Sequence, residues 1–182
     1  MFFHSWLFIL FAIAVVGLFY CLPKGLPRRL LLLLAGLYFY ACFRPEYLIL
    51  MLAVVFMDYT MARFMEKTIA IKKRRFFLCC SLFFDLGILF LFKYLGFFEE
   101  TWNAIFSSLS GEIHLPSLLL PMGISFYTFQ SLSYVIDVYR KKIPAEKSLL
   151  QYSLYVTFFP QLVAGPIENA KHLLPQVRFE EK

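Results

Sequence analysis

The chain has 182 residues, of which 60% are hydrophobic, 20% aromatic and only 16% charged. A soluble domain of this size is nearer half apolar and a quarter charged, so 23 phenylalanines in long runs read as membrane spans rather than a water-soluble core. The formal charge of +6 sits in short clusters between apolar runs, the pattern of membrane-protein loops, which excludes nucleic acid as a partner.

Six apolar stretches follow one another: Ser5–Leu22, Leu30–Phe43, Tyr47–Met61, Phe76–Leu95, Leu118–Tyr139 and Leu149–Val163. The first has no basic leader and no small-residue cleavage site before Cys21 and Pro23, so it is expected to be retained as a span. The second would reach about 21 Å as a helix, short of a hydrocarbon core of roughly 30 Å. Two short spans, or a re-entrant pair made with the third stretch, both fit that length. Asp58 falls near the inner end of the third stretch, within reach of headgroup water. Asp85 falls near the middle of the fourth, where an isolated charge costs on the order of 2.5–3.5 kcal/mol. It must be protonated, paired or hydrated, and Lys93 stands two turns away, too far for a direct pair. A structural role inside the bundle is expected for both carboxylates.

The segment Phe97–Pro116 is expected as a loop, with Phe98, Trp102, Ile105, Phe106 and Leu109 at the spacing of a short surface helix. The charges choose an orientation. With the N-terminus outside, the inner loops hold Lys24, Arg28 and Arg29, then Arg63 to Arg75, then Arg140 to Lys147. The outer loops hold Arg44 and the acidic Glu99, Glu100 and Glu112. That arrangement obeys the positive-inside rule in every gap. The expected architecture is all-α: one polytopic transmembrane helical bundle of about six spans over residues 1–182, with no soluble domain.

The fifth stretch carries most of the chemistry. Gly123, Tyr127, Gln130, Tyr134 and Asp137 recur at helical spacing and form one polar stripe, with Phe126, Phe129, Leu132 and Ile136 mostly off it. Polar groups are expensive in hydrocarbon, so the stripe is expected to face protein or a wet cavity. It reads either as the wall of a polar cavity or as a helix–helix seam. The sixth stretch is broken by Phe158-Phe-Pro-Gln-Leu-Val-Ala-Gly-Pro-Ile167, since Pro160 and Gly165-Pro166 remove donors and end helices. Irregular backbone there either lines a cavity, with Gln161 facing it, or marks the end of the span near Val163.

Other chemistry is thin. Cys21, Cys42, Cys79 and Cys80 form no C-x-x-C pair, and the three histidines are too scattered for a zinc site, so no metal is expected. An imidazole suits removal of a proton from an acceptor hydroxyl. His4, His114 and His172 all stand outside the apolar helices, so no residue of this chain is assigned as catalytic.

The run Gly123-Ile-Ser-Phe-Tyr-Thr-Phe-Gln130 and the run Pro160-Gln-Leu-Val-Ala-Gly-Pro166, in that order, resemble the membrane-bound O-acyltransferase family. The resemblance is to its bacterial branch that acylates exopolysaccharides such as alginate, with the teichoic acid D-alanylation branch as an alternative. It is loose before Phe92-Lys-Tyr94 and tight from Pro121 to Gln176. The resemblance implies an enzyme of the bacterial inner membrane. It implies an acyl-CoA donor, acetyl-CoA foremost, on the cytoplasmic side and no tightly bound cofactor. A polysaccharide or carrier would be the acceptor, and a periplasmic acetyltransferase a partner. Tyr127, Gln130, Tyr134, Gln161, Gly165 and Pro166 would line a substrate funnel. The family's catalytic histidine lies well downstream of the Gly-Pro-Ile segment and does not map onto His172, so the chain is expected to be an N-terminal portion lacking it. The reading from another class is a non-enzymatic transporter or scaffold subunit, with the stripe as a solute path or packing seam.

Overall fold

Apolar periodicity and the turn residues divide the chain much as expected. The computed structural model describes residues 6–110, 120, 121, 123–161 and 170–177, and within them every regular element is a helix. In order they are α1 Trp6–Cys21, α2 Leu26–Ala41, α3 Glu46–Lys67, α4 Ile71–Ser110, α5 Ile124–Tyr139, α6 Leu149–Val156 and α7 Ala170–Val177. Two of them are long and apolar enough to cross a membrane: α3, and α4 over Ile71–Ile105.

Local chemistry sets the boundaries. Gly25 adopts a positive φ of 99° before α2, and Pro27 occupies the first turn, where its missing N–H costs nothing. Gly123 sits in the left-handed region at φ 75°, which lets the chain swing into α5 only at Ile124. The fifth span thus starts later than its apolar run. α6 begins at Ser148, whose hydroxyl accepts the Gln151 amide at 3.4 Å. It ends after eight residues, short of the expected Val163: Thr157 closes the last turn and Pro160 forbids its continuation. Eight residues span about 12 Å, well under a bilayer core.

Two expectations are corrected. α4 is one helix of 40 residues, so the segment from Phe97 to Ser110 is helix rather than loop. The expected surface helix is there, but it is fused to the fourth span. Glu99, Glu100, Thr101 and Ala104 are compatible with a helix, and neither proline nor a glycine pair interrupts it. At about 60 Å the helix must extend beyond the hydrocarbon at one end or both. α3 runs on to Lys67, so Asp58 is well inside it and fully buried rather than near headgroup water.

The core lies where α3, α4 and α5 pack on one another. α3 buries Met51, Val54, Val55, Asp58, Ala62 and Met65, a single stripe at helical spacing. α6 packs on α2 and α3, α7 packs on α6 and α5, and α1 rests on α2. Phe39 joins this outer layer to the rest, with ring contacts to Phe8 at 5.7 Å, Phe11 at 6.2 Å and Phe159 at 6.1 Å. Gly36 lets α2 approach α6 closely: a Cβ there would meet the backbone carbonyl oxygen of Thr157. The outer surface stays apolar. Ile49 is 75% exposed and Phe83 83% exposed, a surface suited to lipid rather than water.

Candidate buried polar site

α5 places its polar stripe inward. Tyr127, Gln130, Tyr134 and Asp137 are all buried, while Phe126 and Phe129 face out. The stripe is tied to α6 by paired hydrogen bonds. Gln130 Nε2 donates to the Tyr155 carbonyl at 2.9 Å, and the Tyr155 hydroxyl donates back to the Gln130 carbonyl at 3.3 Å. Ser131 Oγ and the Tyr152 hydroxyl are 2.7 Å apart. The Tyr134 ring lies 4.5 Å from that of Tyr152, and its hydroxyl accepts the Glu146 amide at 2.8 Å. In apolar surroundings each such bond holds two helices in register.

One end of the stripe is a cap for several helices at once. Arg74, from α4, donates to the Met65 carbonyl at 2.9 Å and to the Val138 and Tyr139 carbonyls at 3.2 and 2.8 Å. A buried guanidinium thereby satisfies the last carbonyls of both α3 and α5, where the helix dipole favours a cation. Glu146 does the converse at the start of α6, accepting the Lys147 and Ser148 amides at 2.8 and 3.1 Å. With its amide turned to suit both neighbours, Gln151 donates to Glu146 at 3.0 Å and accepts from Arg29 at 2.9 Å. Asp137 meets Lys142 at 3.5 Å. A cavity of about 370 Å³ opens beside this cap, lined by Glu66, Thr68, Arg74, Lys141 and Lys142 among others. An apolar cavity of about 400 Å³ lies between α1 and the α6–α7 end, bounded by Val15, Phe19, Phe159, Pro160 and Leu173.

Deeper in the bundle lies a second polar group. Ser81, on α4, donates to Asp58 Oδ1 on α3. Asp85, one turn further along α4, is fully buried and lies beside Asp58. The Tyr127 and Tyr40 hydroxyls close this group from α5 and α2; they lie beside each other, and neither has a hydrogen-bond partner of good geometry among the described residues. Sequence reading took the two aspartates separately. Their pairing depends on the register of α3 against α4, and the only signal for it was that both carboxylates lie on the inward stripes of neighbouring apolar helices.

The six residues expected to line a funnel are thus distributed as follows. Tyr127, Gln130 and Tyr134 share one inward face of α5. Gln161 is half-buried, and its Oε1 is buried with no hydrogen-bond partner among the described residues. Gly165 and Pro166 lie outside the described residues. Neither of the two cavities above is lined by Tyr127, Gln130 or Tyr134. His172 is exposed on α7, and His4 and His114 lie outside the described residues. Among the described residues no group of three metal-ligating side chains occurs.

No family model matches the chain, and no solved structure matches it. Curated proteins do. The probable alginate O-acetylase AlgI of Pseudomonas aeruginosa is 38% identical over 169 residues, which is 92% of this chain and 32% of that protein. That of Pseudomonas putida is 39% identical over 169 residues, 35% of its length. The peptidoglycan O-acetyltransferase of Helicobacter pylori is 30% identical over 174 residues, 82% of this chain and 32% of that protein. The chain spans about a third of the length of the curated relatives it matches. Over that third, and across most of its own length, it is similar to proteins named as probable alginate O-acetylases and a peptidoglycan O-acetyltransferase.

Proposed function

We propose that this chain forms part of a membrane-bound O-acyltransferase that acetylates an exopolysaccharide of the alginate kind. The observation that carries this reading is identity of 38–39% over 92% of the chain to proteins named as probable alginate O-acetylases. On this reading the chain crosses the bacterial inner membrane about six times with its N-terminus outside, in the orientation that the basic loops favour. Acetyl-CoA serves as donor from the cytoplasmic side, and the acceptor is a polysaccharide or carrier, with a periplasmic acetyltransferase as a partner. Tyr127, Gln130 and Tyr134, with Gln161, Gly165 and Pro166, border the path taken by the acyl group. No residue described here is assigned the chemical step.

The physical support for that path is the cost of placing polar groups in an apolar bundle. The Gln161 Oε1 is buried and has no hydrogen-bond partner among the described residues, and a group of this kind suits contact with a polar substrate. Gln130 and Tyr134 are bonded to α6 and to the Glu146 segment, and so would fix the wall rather than touch the substrate.

A chimera tests the proposal. The matching third of the Pseudomonas aeruginosa protein is replaced by this chain, and acetyl groups on the secreted polymer are measured. Restored acetylation of alginate is expected. A chimera that inserts stably yet leaves the polymer unacetylated would contradict the assignment. The Helicobacter pylori relative favours peptidoglycan as a second acceptor, and the corresponding chimera would then acetylate cell wall instead.

A further inference from the structure

We propose that Asp58 and Asp85 together bind one monovalent cation, a proton or a sodium ion, between α3 and α4. Both residues are 0% exposed. Among the described residues three of their four carboxylate oxygens, Asp58 Oδ2 and both of Asp85, have no hydrogen-bond partner of good geometry, and the fourth accepts from Ser81. Among the described residues neither carboxylate takes part in an ion pair. Two anions side by side in an apolar interior, with one hydroxyl between them, are not a stable arrangement. They need a positive charge held between them.

A second observation points into the same place. The Tyr127 hydroxyl, on a residue only 1% exposed, lies beside the Tyr40 hydroxyl on the Asp85 side of the pair and has no hydrogen-bond partner of good geometry among the described residues. Among the described residues the other titratable groups that face the pair are phenols: Tyr152 from α6 opposite Asp58, and Tyr40 from α2 beside Tyr127. On α4 itself Lys93 points outward, exposed, with its ammonium over the Tyr94 ring. The free oxygens are therefore three from carboxylates, with the phenolic oxygens of Tyr127 and Tyr40 beside them. That set is hard, oxygen-only and anionic, which suits a proton or an alkali cation. It falls short of the six to eight oxygens that calcium takes. Bound there, the cation would hold α3 to α4 at the centre of the bundle.

The test uses the whole chain in detergent, with its melting temperature followed from mildly acid to mildly alkaline pH in sodium chloride or choline chloride. Binding predicts a fall of several degrees as pH rises in choline. If sodium replaces the proton, sodium chloride restores the loss; if the site takes only protons, it does not. Asp58→Asn and Asp85→Asn should each flatten the dependence. A wild-type melting temperature indifferent to both pH and sodium would overturn the proposal, as would a variant that kept the full dependence. So would selective stabilisation by calcium. Should the variants fail to fold, wild-type protein treated with a hydrophobic carbodiimide gives the second reading. Modification at Asp58 or Asp85, suppressed by alkaline pH or by sodium, supports the site. Modification at neither, or modification unaffected by both, overturns it.

Discussion

At the scale of single residues, the bundle depends on small contacts that leave no room for error. Gly36 is the sharpest. The oxygen that a Cβ would meet belongs to the Thr157 backbone, so it cannot swing aside as a side chain would. Gly36→Ala should force α2 away from α6 at a cost of about 1–3 kcal/mol. Gly87 is the control, because nothing lies within 4 Å of its Cβ position. Gly87→Ala should be neutral or stabilising by about 0.5–1 kcal/mol, since alanine loses less backbone freedom in a helix. Melting of both variants in detergent measures the difference. The polar stripe of α5 was legible in the sequence because its spacing is helical. What the spacing left open was its partner. Gln130 and Tyr155 meet through backbone carbonyls, which no side-chain pattern records.

At the scale of elements, Arg74 does more than its place in a basic loop suggests. From sequence it was one of several charges on the inner side. In the structure it is 5% exposed and bridges the ends of α3 and α5 through three carbonyls. Arg74→Met keeps much of the stem but leaves those carbonyls without the guanidinium, a loss on the order of 1.5–3 kcal/mol. Trypsin should then cut faster at Arg140, Lys141 and Lys142, where α5 ends. Arg74→Lys should fall between, because an ammonium cannot reach three carbonyls in a fork. Unchanged cleavage in Arg74→Met would remove Arg74 from this role. Helix ends were legible in part, as where Pro160 breaks the sixth stretch, but the start of α5 after Gly123 was not, because the apolar run begins earlier, at Leu118. They were not legible between Phe97 and Ser110, where acidic residues signalled a water-facing segment but nothing stopped the helix.

At the scale of the whole molecule, one arrangement links these observations. α5 turns Tyr127, Gln130, Ser131 and Tyr134 inward and leaves Phe126 and Phe129 to an apolar exterior. The all-helical class and the order of elements were legible from composition and apolar runs. The depth of each span was not, because α6 is far shorter than its apolar stretch and α4 far longer. The pairing of Asp58 with Asp85 was hidden for a related reason: it needs the relative register of two helices, which their separate patterns do not contain. The same inward face underlies both the proposed acyl path and the polar centre of the bundle. The most direct measurement attaches a spin label at Phe129→Cys and at Ser131→Cys in bilayers and compares collision with lipid-dissolved oxygen. The account predicts frequent collision at position 129 and strong shielding at position 131. Equal collision rates at the two positions, or a higher rate at 131, would contradict it.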